Sequence, residues 1–123
     1  MTGSVPGKVS WFEVASNDVE QSARFYGELF GWVFNGDPGV YLAVDTEGDG
    51  ISGGIIPATP NTGTYATFGV EVDDVDAVFA SALAKGATAV VPPTDNPGGV
   101  RSAYLRDADG SLFAVYRFVA PPS

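Results

Sequence analysis

Two stretches decide the fold: Trp11-Phe-Glu-Val-Ala-Ser-Asn-Asp18 and Thr67-Phe-Gly-Val-Glu-Val-Asp-Asp74. Both alternate as a half-buried strand does and run into an acidic helix start. Around the first, Lys8 to Val14 sets Ser10, Phe12 and Val14 on one face and Val9, Trp11 and Glu13 on the other. Asn17 then reads as an N-cap, with Glu20 three residues later as the return arm of a capping box. Val19, Ala23, Tyr26 and Phe30 form an apolar stripe at helical spacing, and Gly31 supplies the left-handed stop.

Strand-like runs follow over Trp32–Asn35, Tyr41–Asp45 and Ile51–Ile56, separated by the turns Gly36-Asp-Pro-Gly39 and Glu47-Gly-Asp-Gly50. Pro57 to Gly63 has no periodicity and reads as a joint. The order then repeats. Tyr65–Val72 is a strand, Asp73 caps a helix carrying Val75, Val78, Phe79, Ala82 and Leu83, and Gly86 stops it. Ala87–Val91, Val100–Leu105 and Leu112–Phe118 complete the set, with Pro92 to Gly99 read as an irregular loop. The expected class is α+β: two βαβββ modules, about 8–57 and 64–119, forming a cupped mixed sheet in a single domain of residues 1–123. Phe12, Val14, Phe68, Val70, Phe113 and Val115 are expected to face the helices. Trp11, Glu13, Tyr65, Thr67, Leu112, Ala114 and Tyr116 are expected on the opposite face.

Composition narrows the function. The chain of 123 residues has six basic and fifteen acidic side chains, a formal charge of −9, no histidine and no cysteine. Such a field repels nucleic-acid phosphates and anionic membranes and favours cationic ligands, although solubility alone also accounts for it. No apolar run is long enough to span a bilayer, and the first residues lack the features of a signal peptide. With neither disulfides nor such a signal, the expected location is cytoplasmic. Without histidine or cysteine, no serine, threonine or thiol nucleophile of the usual kind can be assembled. Any catalysis would fall to Glu, Asp, Tyr or Lys, and the spacing selects no catalytic pair.

The chain resembles the vicinal oxygen chelate superfamily, the glyoxalase, bleomycin-resistance and extradiol-dioxygenase fold. The resemblance rests on Asp18 with Arg24-Phe-Tyr-Gly-Glu-Leu-Phe-Gly-Trp32, on Val72-Asp-Asp-Val-Asp-Ala77, and on Asp107-Ala-Asp-Gly110 before the last strand. It implies paired modules around a central cavity, often in a homodimer. In metal-dependent members, a histidine lies seven positions before each helix-start aspartate, and a glutamate lies four after each turn glycine. Here those positions hold Trp11, Thr67, Gly54 and Ala114. Only the Thr67 hydroxyl could serve as a weak ligand, so neither a metal nor another cofactor is expected. What remains is similar to the metal-free branch, which sequesters antibiotics in an aromatic-lined, acidic cleft.

The candidate ligand-binding residues are therefore Trp11, Glu13, Trp32, Phe34, Tyr41, Gly54, Tyr65, Thr67, Tyr104 and Tyr116. Amphipathic rings suit a flat, conjugated or cationic ligand through stacking and cation–π contacts. For each ring, ordinary packing is the alternative, and for Trp11 so is a subunit interface. Glu13 and Glu71 lie on strands from which a carboxylate could meet a cation. Glycine at 53 and 54 weakens a strand unless a ligand or a neighbouring backbone comes close, or unless the strand bulges. Gly48-Asp-Gly-Ile-Ser-Gly53 fits a dinucleotide fingerprint but precedes no helix, and Asp45 to Gly50 lacks the closing carboxylate of a calcium loop.

The expected function is metal-independent binding of an aromatic or cationic natural product, conferring antibiotic resistance by sequestration. The alternative is a glyoxalase-like or hydroxylase-like tailoring enzyme, acting as a lyase, isomerase or oxidoreductase in natural-product metabolism. A pure interaction module is the third reading. The expected partners are a small-molecule ligand and a second copy of the chain.

Overall fold

The computed structural model describes residues 7–46, 48 and 50–119. Their order is β1 (Lys8–Ser16), α1 (Val19–Phe30), β2 (Val33–Asp37), β3 (Tyr41–Asp45), β4 (Ser52–Pro57), then β5 (Tyr65–Glu71), α2 (Val75–Ala84), β6 (Thr88–Asn96), β7 (Val100–Arg106) and β8 (Leu112–Phe118). This is α+β with two βαβββ modules, as the duplication requires. Close contacts group the described residues into two compact units, Ser10–Thr67 and a second made of residues 7–9 and 68–119. Glu47 and Asp49, in the turn once compared with a calcium loop, lie outside the described residues.

In the first module the strand order is β2-β3-β4-β1. β1 and β4 pair in parallel without interruption from Trp11↔Ser52 to Ser16↔Pro57, so the two glycines of β4 sit in a regular ladder and not in a bulge. β4, β3 and β2 are antiparallel neighbours. Helix α1 packs on the face carrying Val19, Leu42, Val44 and Ile55, joined by Phe12, Val14, Ala23, Tyr26, Trp32 and Phe34.

The second module repeats the order as β5-β8-β7-β6. Its core is Val75, Ala103, Leu105 and Val115, with Val70, Phe79, Phe113 and other apolar side chains around them. Five of the six residues expected to face the helices pack into the two clusters; Phe68, on the same face of β5 as Val70, joins neither and is 45% exposed.

Each helix begins on an aspartate, one residue later than the spacing suggested. Asp18, not Asn17, is the N-cap of α1, and its Oδ1 accepts the Gln21 N–H at 3.1 Å. Ser16 Oγ accepts the Asp18 N–H at 2.9 Å, which fixes the approach of the chain to the cap. Asp74, not Asp73, caps α2 by accepting the Ala77 N–H at 3.0 Å. Gly31 ends α1 with φ 75°, a left-handed conformation that glycine adopts freely.

Residues 92–96 correct the sequence reading, since they belong to β6 and not to a loop. The strand lies at the end of its module's order, beside β7 alone, with register shifts between Ala89 and Val91 and between Val91 and Thr94. An edge strand tolerates proline because one row of its N–H groups has no ladder partner to lose. The periodicity therefore failed where two prolines mimic a loop.

Candidate functional site

Strand register sorts the candidate residues. Trp11 and Glu13 alternate with Phe12 and Val14 on β1, and the latter two pack under α1. Glu13 stands opposite Gly54 on β4, and Gly54 stands opposite Ala43 on β3. Tyr41, two residues before Ala43, projects from the same face. Trp11, Glu13, Tyr41 and Gly54 thus share the face of the first module turned away from its helix.

Their contacts form one connected cluster. A Cβ built on Gly54 would collide with the Tyr41 ring, at its outer carbons and hydroxyl. The ring thus lies directly on the bare backbone at this position. Trp11 Nε1–H donates to the Tyr41 hydroxyl at 2.8 Å, tying the two rings together. The Tyr65 hydroxyl donates to Glu13 Oε1 at 2.7 Å. Glu13 is 5% exposed, so its charge is held away from water by these phenols. Burial first, then the negative charge of Glu13, pushes the Tyr41 phenol well above its ordinary value of 10.0. Tyr41 is a proton-holding group throughout the neutral range.

The glycine pair has two separate explanations. Gly54 makes room for Tyr41, whereas a Cβ on Gly53 would meet the Phe12 ring and carbonyl. Neighbouring groups of the chain itself account for both. The spacing pointed to a close approach at Gly54 but not to Tyr41 as the group approaching. The signal was an aromatic residue on an adjacent strand facing a glycine, a pairing visible only once register is known.

The other candidates separate. Trp32 and Phe34, expected as cavity walls, face the helix instead. Phe34 pairs with Val44, a core residue, which puts both aromatics on the α1 side. Trp32 packs with Tyr26 at 5.3 Å, Phe12 at 5.2 Å and Phe30 at 5.4 Å between ring centroids. Thr67 is half-buried on β5, two residues beyond Tyr65 and on its side of the strand. Tyr104 and Tyr116 belong to the second module, on the face opposite its core. Tyr104 pairs with Ala114, and Tyr116, 7% exposed, meets Phe118 edge-on at 5.7 Å. Glu71 pairs with Tyr116 in the β5–β8 ladder and is half-buried.

The divalent ion that the fold can carry finds a poor donor set here. Trp11 presents an N–H donor, Gly54 has no side chain and Ala114 a methyl group. Among the described residues no three His, Cys, Asp or Glu side chains come together as a metal-binding group. A shallow depression of about 450 Å³ beside the start of α1, lined by Asn17, Asp18, Glu20, Asp37 and Pro38 among others, is chemically different. It has carboxylates where the aromatic face has rings, and the Asp18 side chain is already engaged in the helix cap.

A paired βαβββ frame with this site geometry defines a class. The profile of the Glyoxalase/Bleomycin resistance protein/Dioxygenase superfamily matches residues 8–115, and the chain belongs to that superfamily. It is similar to the anthracycline biosynthesis protein DnrV of Streptomyces peucetius, 31% identical over 95% of this chain and 49% of DnrV. It is also similar to the putative glyoxylase CFP32 of Mycobacterium bovis, 26% identical over 90% of this chain and 46% of that protein. The chain thus spans about half the length of these curated relatives. The methylmalonyl-CoA epimerase of Mycobacterium tuberculosis shares the fold, with a TM-score of 0.68 at 16% identity, covering 98% of this chain and 94% of that one. Among the described residues no helix is long and apolar enough to cross a membrane.

Proposed function

We propose that the chain binds a flat aromatic natural product without a metal ion and protects its host by sequestering it. The observation that carries this reading is the Trp11–Tyr41–Glu13–Tyr65 cluster, which gathers rings, hydroxyls and one carboxylate around Trp11 and Gly54, two positions that in the metal-dependent pattern would hold ligands. Rings offer stacking area, worth about 0.5–1.5 kcal/mol per aromatic pair beyond burial. The carboxylate and the overall charge of −9 favour a ligand with a cationic substituent. The similarity to an anthracycline biosynthesis protein makes a fused-ring compound the first one to try.

Isothermal titration in the presence of a chelator tests the reading, with anthraquinone-type, flavin-like and glycopeptide-type compounds. The expected result is one-site binding of an anthraquinone-type compound, weakened about tenfold or more by Trp11→Ala. No binding by any of the three classes, or binding only when a divalent ion replaces the chelator, would defeat it.

One observation favours turnover as a second reading. A carboxylate shielded from water, 5% exposed and hydrogen-bonded to the Tyr65 phenol, is placed to act on a proton of a bound compound. Such a protein would be a tailoring enzyme of the lyase, isomerase or oxidoreductase kind. Conversion of a bound compound that disappears in Glu13→Gln while affinity is retained would favour this reading over pure binding.

A further inference from the structure

In the Trp11–Tyr41–Glu13–Tyr65 cluster every side-chain donor is already engaged within the cluster, and all four residues belong to the compact unit Ser10–Thr67. The Trp11 Nε1–H donates to the Tyr41 hydroxyl at 2.8 Å. The Tyr41 hydroxyl donates in turn to the Glu13 carboxylate. The Tyr65 hydroxyl donates to Glu13 Oε1 at 2.7 Å. An indole or a phenol carries a single donor, whereas a phenol oxygen has two lone pairs and an ionised carboxylate about four acceptor sites. The cluster is therefore rich in acceptors, and its donors are committed.

Tyr41 is the residue that commits the indole. Its ring reaches between Trp11 and Glu13 because Gly54 beneath it has no Cβ, which would collide with the outer ring carbons and the hydroxyl. An apolar side chain in place of Tyr41 would deprive the Trp11 N–H of the oxygen it now meets. A part-buried donor left unmet is costly, so it would draw an acceptor from a ligand. We propose, on the reading that this face binds a flat aromatic ligand, that Tyr41 sets its specificity by occupying the Trp11 donor. The face then selects ring compounds whose substituents bring their own donors, an ammonium or a hydroxyl, over those whose substituents only accept. A donor-bearing substituent meets the Glu13 carboxylate or a phenol oxygen. An ether or carboxylate oxygen meets lone pairs like its own and gives up water without replacement. The selection follows the direction of the hydrogen bond, so it also operates between neutral compounds, on which the net charge of −9 exerts no Coulomb pull.

Equilibrium dialysis with three neutral anthraquinones of similar shape tests the proposal. The 2-methyl compound has no polar substituent, the 2-hydroxymethyl compound adds a donor and an acceptor, and the 2-methoxymethyl compound adds an acceptor alone. Their quinone oxygens are common to all three and cancel. The wild type is expected to bind the hydroxymethyl compound at least about fivefold tighter than the methoxymethyl compound, and the latter no tighter than the methyl one. Tyr41→Phe removes the hydroxyl alone, and Tyr41→Leu removes the outer ring as well while keeping an apolar side chain over Gly54. Circular dichroism confirms that each is folded. Either change releases the Trp11 donor, so the methoxymethyl compound should gain about threefold or more relative to the methyl one. A loss of ring contact or of stability that all three compounds share leaves that ratio unchanged. A wild type that binds the methoxymethyl and hydroxymethyl compounds alike overturns the proposal and leaves ring binding intact. So does a ratio that keeps its wild-type value in both variants. Failure of all three compounds to bind the wild type removes the binding reading itself, and this specificity with it.

Discussion

The two modules have the same element order, the same strand order and nearly the same helix start, yet they are filled differently. The caps are close copies, with Asp18 at φ −148° and ψ 90° and Asp74 at φ −142° and ψ 99°. In the first module the helix packs on aromatic rings, with Trp32 gathering Phe12, Tyr26 and Phe30 around itself. In the second, aliphatic side chains do most of this, centred on Val75, Leu105 and Val115. The polar chemistry differs as well. The compact unit Ser10–Thr67 buries a carboxylate beneath phenols, Tyr41 of the first module and Tyr65 at the start of β5. The second module shows its clearest ion pairing at the surface, where Arg101 binds Asp76 through two nitrogens, at 2.8 and 2.9 Å, and reaches Asp95 at 3.0 Å. Duplication therefore preserved what folding needs, alternation and caps, and left the side chains of the strand faces free to diverge.

The largest effect expected from this comparison concerns the two cores. Ile55 and Leu105 are both fully buried, so Ile55→Ala and Leu105→Ala should each cost about 2–5 kcal/mol in denaturant titrations. Costs that differ by more than that range would break the equivalence of the modules. Next comes Gly54→Ala. The added methyl group displaces the Tyr41 ring and should cost about 1–3 kcal/mol, together with a shift in tryptophan emission as the Trp11 bond is lost.

Tyr41→Phe sharpens the electrostatic side of the contrast. Removing the hydroxyl should cost about 0.5–1.5 kcal/mol at neutral pH, the net worth of a hydrogen bond. The pH dependence has a definite sign. The folded chain holds the Tyr41 proton above the ordinary value of 10.0, whereas the unfolded chain releases it there. The stabilisation is complete below pH 10 and declines as pH rises towards the folded value. Thermal melts between pH 9 and 11 should therefore show the wild type losing stability faster than Tyr41→Phe. The smallest effect tests the shared feature. Asp18→Ala and Asp74→Ala should each cost roughly 1 kcal/mol, and equally, because each removes one cap of the same geometry.

Much of the fold was legible because alternation, acidic caps and terminal glycines are local signals. The cap positions slipped by one residue since Asn17-Asp18 and Asp73-Asp74 each offer two adjacent oxygen-bearing side chains. Only backbone geometry decides between them. Pro92 and Pro93 were misread because proline reports a missing N–H and not whether a neighbouring strand needed it. Of the candidate site, Trp11, Glu13, Tyr41, Gly54 and Tyr65 are joined in one cluster. Trp32 and Phe34 went to the opposite face because Trp32 precedes β2 and the register that fixes its side depends on β3. The Tyr41–Gly54 contact links residues with no local relation in the chain. The same holds for the Trp11–Tyr41 and Glu13–Tyr65 bonds, which is why the cluster could be suspected by type but not assembled.

A single-tryptophan protein gives the most direct test of the central claim. In Trp32→Phe, Trp11 is the sole indole, and its emission reports on the proposed ligand surface alone. Titration with an anthraquinone-type compound in excess chelator should quench that emission along a saturable, one-site curve. Emission that stays constant while calorimetry records binding, or that changes only after Zn²⁺, Fe²⁺ or Mn²⁺ is supplied, would contradict the account.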